Sequence, residues 1–289
     1  MIRVYCVAGL RFQIDDGLNL ITDIMDQYAP FEVEHDNSSP CLFSVCLLDD
    51  DFELTREIKE KEFVREEGEF LIRTCYYNHG RVYYEFHFKG KRSASLFISR
   101  NYDYAELKLE NYRLYGLNNA IRTLYGYTAL RHHAILIHAS AICHERKAYL
   151  FLGKSGTGKS THSSLWLNNI PDTELINDDV PIVRLVDGEF NVYGSPWSGK
   201  TPCYRNVSYP LGGIVRIYQA PANQIRLLSP LEAYASITPS IQGDRNIKLV
   251  ADNVHAIETL MVQKIGIWSM ECLPDANAAR ICCEAITKS

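Results

Sequence analysis

The residues of this sequence that could do chemistry gather in its second half. Gly153-Lys154-Ser155-Gly156-Thr157-Gly158-Lys159-Ser160 fits the pattern G-x-x-x-x-G-K-[ST]. Three glycines let a backbone turn tightly and bring its N–H groups around an anion. The apolar run 149–152 before them reads as a buried strand, and 161–168 after them as a helix. A helix N-terminus in that place offers unpaired donors and a favourable dipole to phosphate. In such a loop the lysine, here Lys159, reaches the β- and γ-phosphates of a nucleotide, and the hydroxyl of Ser160 reaches Mg²⁺. The candidate phosphate-binding residues are therefore Gly153, Ser155, Gly156, Thr157, Gly158, Lys159, Ser160 and Thr161.

A second group follows at Asp178-Asp179, at the end of a strand candidate over 174–177. Two adjacent carboxylates beside a phosphate-binding loop suggest divided roles. One would hold Mg²⁺, directly or through water, and the other would accept a proton from an attacking hydroxyl. An Asx turn that stops the strand before Pro181 is the structural alternative. His138 lies inside the apolar run AILIHASAIC (134–143), either as a satisfied core histidine or as a polar group aimed at the loop. The turn-rich segment GSPWSGKTPCYRN (194–206) brings two cations, Lys200 and Arg205, as candidates for an anionic substrate or a γ-phosphate.

The elements that position these groups form an α/β (α+β) pattern in two domains. Residues 1–110 read mostly as strands: 1–7, 41–48, 71–78, 81–89, 94–99 and 104–109, with a short helix over 18–28. The charge-dense stretch 49–69 reads as a solvated loop or helix face. Asn78-His79-Gly80 marks a hairpin, and His79 and His87 read as hairpin surface and core positions. From 111 the period changes. Leu114, Leu117, Ile121 and Leu124 recur at helical spacing, with Asn111 as a candidate cap. The domain boundary is placed there, giving 1–110 and 111–289. Run 134–143 reads as one strand that turns at 144–147 into the loop's own strand. Beyond the Asp pair come strands over 211–219, 224–228 and 265–273, and helices over 230–237, 250–262 and 274–286.

Composition bounds the function. The chain has 289 residues, 46% hydrophobic and 22% charged, with a formal net charge of −5. No long basic run points to nucleic acid. No stretch approaches the roughly twenty apolar residues of a membrane span. The nine cysteines include no C-x-x-C pair, which fits buried thiols in a reducing cytoplasm better than disulfides or zinc. No signal peptide is evident in MIRVYCVAGLRF.

Residues 134–289 resemble the kinase domain of the HPr kinase/phosphorylase family, which is related to ATP-dependent phosphoenolpyruvate carboxykinase. The likeness rests on IHASAI, FLGKSGTGKST, LINDDVPIV and the ending IWSMECLPDANAARI. It implies a protein serine kinase, or a kinase of a small hydroxylic substrate, using ATP and Mg²⁺. Lys159 would bind phosphates and Ser160 the metal. Asp178 and Asp179 would share base and metal duties, with Asp179 named as ligand beside Ser160. His138 would stand near the reacting phosphate. An oligomer is implied by the same analogy. GSPWSGKTPCYRN stands where the family carries a glutamate-containing segment, and the further lysine, histidine and arginine set of a carboxykinase is not found. A nucleotide-sensing protein without catalysis and a carboxykinase-like enzyme remain the alternative readings.

Overall fold

The computed structural model describes residues 1–36, 38–49, 58–199 and 201–288. The chain divides into two compact units, Met1–Ala129 and Leu130–Ser289.

Alternation of buried and exposed side chains builds the first unit, as in the Leu10, Phe12 and Ile14 face of its second strand. Its strands are β1 (Ile2–Val7), β2 (Leu10–Asp15), β3 (Glu32–Val33), β4 (Ser44–Leu48), β5 (Lys59–Glu67), β6 (Phe70–Tyr77), β7 (Val82–Phe88), β8 (Lys91–Ile98) and β9 (Tyr104–Leu109). They lie in the order β3-β1-β2-β4-β9-β8-β7-β6-β5. Phe12 stacks on Phe43 at 5.1 Å, and both are buried. Helix α1 (Arg113–Thr128) packs on β7, β8 and β9.

Several expectations change here. The helix expected over 18–28 is a pair of 3₁₀ turns, Thr22–Ile24 and Asp26–Phe31, the second carrying Pro30, which has no N–H for a longer helix. The charged stretch 49–69 is a strand over Lys59–Glu67 in its described part, with every residue exposed at the sheet edge. Asn111 does not cap α1. Tyr112 precedes the helix with φ 51°, and the Asn111 amide donates to the Arg92 carbonyl instead. Because α1 covers the first sheet, the division falls at 129/130, whereas the change of period alone suggests 110/111.

The second unit contains β10 (Ala134–Leu136), β11 (Ala139–His144), β12 (Lys147–Leu152), α2 (Lys159–Asn169), β13 (Thr173–Asn177), β14 (Ile182–Val186), β15 (Glu189–Tyr193), β16 (Ser208–Gln219), β17 (Gln224–Leu227), α3 (Pro230–Ile237), α4 (Lys248–Lys264), β18 (Ile267–Cys272) and α5 (Ala276–Thr287). The main path of its sheet is β10-β14-β15-β16-β12-β11-β13, and β18 joins β16 to β17. β16 runs parallel to β12 and to β18, and β11 runs antiparallel to both β12 and β13. β12, β13, β16 and β18 therefore point the same way, and their C-terminal ends share one edge. That is where ligands bind in open α/β sheets. A core of Phe151, Trp166, Val215, Trp268, Met270 and Cys282 fills the space beneath α2 and α5. α5 starts at Asp275, whose side chain accepts from the Ala278 N–H.

Candidate phosphate-binding and proton-relay site

The run AILIHASAIC is not one strand. It breaks at Ile137-His138 because distant backbone groups claim its N–H donors. Ile137 donates to the Pro181 carbonyl, His138 to Ser240 and Ala139 to Asp179. The break frees the His138 side chain. Since Ala139 pairs with Leu152, it also leaves His138 beside Gly153, where the glycine-rich loop begins.

The loop has little room at its start. A Cβ on Gly153 would lie 2.2 Å from Thr157 Oγ1 and 3.4 Å from the Ile217 carbonyl. Gly158 has φ 101°, a conformation open to glycine, and leads straight into α2 with no side-chain cap. The first turn of α2 bonds only from His162 N to Gly158 O, so among the described residues the N–H groups of Lys159, Ser160 and Thr161 have no partner. Ser160 and Thr161 are exposed, as is Ser155. The Thr157 hydroxyl donates to the Lys154 carbonyl, and Gln219 at the end of β16 donates to Gly156.

Lys159 turns back into the loop and is 9% exposed. Its ammonium donates to Gly153 O at 3.1 Å, to Lys154 O at 3.4 Å and to His138 Nε2 at 3.0 Å. An ammonium cannot accept, so Nε2 is the acceptor and Nδ1 carries the imidazole proton. Nδ1 lies 3.1 Å from Asp179 Oδ1, within ion-pair reach. Asp179, His138 and Lys159 thus stand in one row of contacts at the start of the loop. Burial lowers the lysine pKa; Asp179 and Asp178 pull it up, and Arg216 pushes it further down.

The two aspartates differ. Asp179 is half-buried and faces His138. Asp178 is buried. Its Oδ1 accepts from the Ser140 hydroxyl at 2.8 Å, and Ser140 bonds Ser163 on α2 at 2.6 Å. Its Oδ2 is buried without a partner among the described residues. Both sit on a turn built by Asn177, which is fully buried. The Asn177 Oδ1 accepts from the N–H groups of Asp179 and Val180, each at 2.9 Å, while its amide donates to Ser195 Oγ and Trp197 O at 3.2 Å. The Asx turn is present, and both carboxylates are carried on it.

Of the two loop cations, Arg205 is not brought to this cluster. Its guanidinium bonds Glu174 at 2.8 Å and Leu175 O at 2.7 Å, toward the far end of β13, and Tyr209 bonds the same glutamate. Lys200 lies outside the described residues. Three side chains at the site carry no spacing signature: Ser140, Ser163 and Arg216. Arg216 had one visible sign, a lone cation within IVRIYQ, in a strand otherwise apolar.

No protein-family model matches the chain, and no curated protein matches it. Among solved structures it is similar to the HPr(Ser) kinase/phosphatase from Coxiella burnetii, at 11% identity and a TM-score of 0.31, over 53% of this chain and 93% of that one. At that score the likeness carries no weight for any residue of the site. No helix among the described residues is long and apolar enough to cross a membrane.

Proposed function

We propose that this chain is an ATP-dependent, Mg²⁺-requiring kinase that moves a γ-phosphoryl group to a hydroxyl acceptor. The row Asp179–His138–Lys159 at the mouth of a glycine-rich loop carries the reading. A loop of free N–H groups alone would suit any anion. A histidine locked in one tautomer beside the loop lysine adds a group able to take a proton.

The residues fit both bound groups. Free N–H groups at the start of α2 suit phosphate oxygens, and a Cβ on Gly156 would meet nothing within 4 Å, so the loop is open there. Mg²⁺ commonly takes one or two protein oxygens and completes its shell with phosphate and water. The exposed Ser160 hydroxyl and the half-exposed Asp179 carboxylate would hold it, with Asp178 enclosed beside them. When bound, Mg²⁺ offsets charge on the β- and γ-oxygens.

Lys159 would exchange His138 for phosphate oxygens. The freed Nε2 of His138 would then accept the proton of the acceptor hydroxyl, with Asp179 stabilising the imidazolium. The Lys159 charge, largely withdrawn from solvent, would oppose developing negative charge more strongly than a fully hydrated one.

Calorimetry with Mg·ATP and phosphate release over time test this reading. Wild type should bind Mg·ATP and hydrolyse it slowly while it lacks an acceptor. Lys159→Ala should lose turnover and weaken binding. His138→Gln should keep binding within a few-fold while turnover falls by about 10²–10⁴-fold, the usual worth of a positioned base. Absence of binding at millimolar Mg·ATP would refute the reading. Binding without transfer to any acceptor would favour a nucleotide sensor.

A further inference from the structure

Arg216 is a buried cation that forms no ion pair with a carboxylate among the described residues. It lies on β16 in register with Leu152, the last residue before the glycine-rich loop, and is 9% exposed. Buried charges are rare unless paired. Among the described residues Arg216 makes no ion pair, and its partners are neutral: Nη1 donates to Ser236 O at 2.7 Å and to Ser240 Oγ at 3.3 Å. Its Nε and Nη2 make no hydrogen bond there. Neither nitrogen is fully enclosed.

The placement is specific. Ser240, which Arg216 holds by its hydroxyl, accepts the His138 N–H through its carbonyl at 2.7 Å. The Lys159 ammonium thus bonds His138 directly, and the guanidinium is joined to His138 through Ser240. They are close enough for Arg216 to act on the lysine's charge. Lys159 already has two aspartates near it; Arg216 has unused donors. A planar guanidinium with a free edge matches phosphate oxygens, which a lysine meets only as a point charge.

We infer that Arg216 is a second phosphate-binding cation of this site, contacting the terminal phosphoryl group of the nucleotide from the His138 side. The inference rests on the nucleotide reading above. The loop and Lys159 hold the phosphate chain, and Arg216 adds a contact made only when the terminal phosphate is present. Its bond to Ser240 links that phosphate to the turn that holds His138.

The test compares Mg·ADP with a non-hydrolysable Mg·ATP analogue by calorimetry on the full chain. The preference of wild type for the triphosphate should fall about tenfold in Arg216→Gln, with Mg·ADP affinity held within about twofold, and Arg216→Lys should recover part of it. A role confined to holding Ser236 and Ser240 would weaken both nucleotides alike, and an unchanged ratio overturns the inference. Should Arg216→Gln fail to fold, the arginine side-chain NMR signal of Arg216 in wild type, assigned by its loss in Arg216→Lys, decides. It should shift with the triphosphate analogue and not with Mg·ADP; a signal that responds to neither overturns the claim. If wild type binds no nucleotide, the kinase reading falls separately, and inorganic pyrophosphate becomes the probe. Pyrophosphate binding lost in Arg216→Gln sustains Arg216 as an anion contact, and its absence in wild type overturns that as well.

Discussion

His162 should make the fold acid-sensitive in a narrow window. It sits on α2, 2% exposed, against Phe151 at 4.7 Å and Trp166. Trp166 Nε1–H donates to His162 Nε2 at 3.2 Å, so the neutral ring must carry its proton on Nδ1, which is buried and unpartnered. Protonation would turn Nε2 into a donor facing another donor, within an apolar pocket. Burial accordingly lowers the pKa from the ordinary 6.5 to about 4. A folded value below the unfolded one means that the unfolded chain binds the extra proton first. The stability is fully present above pH 6.5 and is lost as pH falls toward 4. The whole gap is worth about 3 kcal/mol, of which about 2 kcal/mol is gone at pH 5. The perturbation is His162→Gln, which can still accept from Trp166 but does not titrate. Urea unfolding followed by tryptophan fluorescence at pH 7.5 and pH 5 gives the loss for each protein. Wild type should lose about 2 kcal/mol more than the variant. Equal losses would mean that the pocket admits water or a counter-charge, and the reasoning from burial would be wrong.

Two further substitutions probe the frame around the aspartates. Gly194→Ala would put a Cβ 1.9 Å from the Arg205 carbonyl and 3.0 Å from its carbon, so backbone must move. Overpacking against main chain should cost about 3 kcal/mol, read as a lowered urea midpoint, and a cost under about 0.5 kcal/mol would mean that the loop adapts freely. Asn177→Ala removes the side chain that accepts from Asp179 N and Val180 N while donating to Ser195 and Trp197. It should destabilise by about 3 kcal/mol and, at temperatures where it remains folded, reduce nucleotide turnover more than nucleotide binding.

What the sequence reveals about this site depends on how local each cause is. The glycine-rich loop is legible because its geometry is set within eight residues. Asp178-Asp179 is legible because a strand ends there before a proline. The break at His138 is hidden. Ile137 and His138 are held by Pro181 and Ser240, and nothing in AILIHASAIC distinguishes a split run from a continuous one except the histidine itself. Arg205 illustrates the reverse error. A cation in a turn-rich loop looks available, yet Glu174, 31 positions away, takes it, and Glu174 looks like an ordinary strand residue. The edge strand Lys59–Glu67 is misread for a related reason: charge marks exposure, and an edge strand exposed on both faces shares that mark with a loop. Arg216 lies between these cases. A lone cation inside IVRIYQ can be recognised from sequence as an anomaly, since such a strand is buried and a buried charge needs company. Its partners lie 20 and 24 residues onward and are neutral, so folding satisfies part of the guanidinium and gives its charge no ion pair among the described residues. An anion at the neighbouring loop is what would supply one.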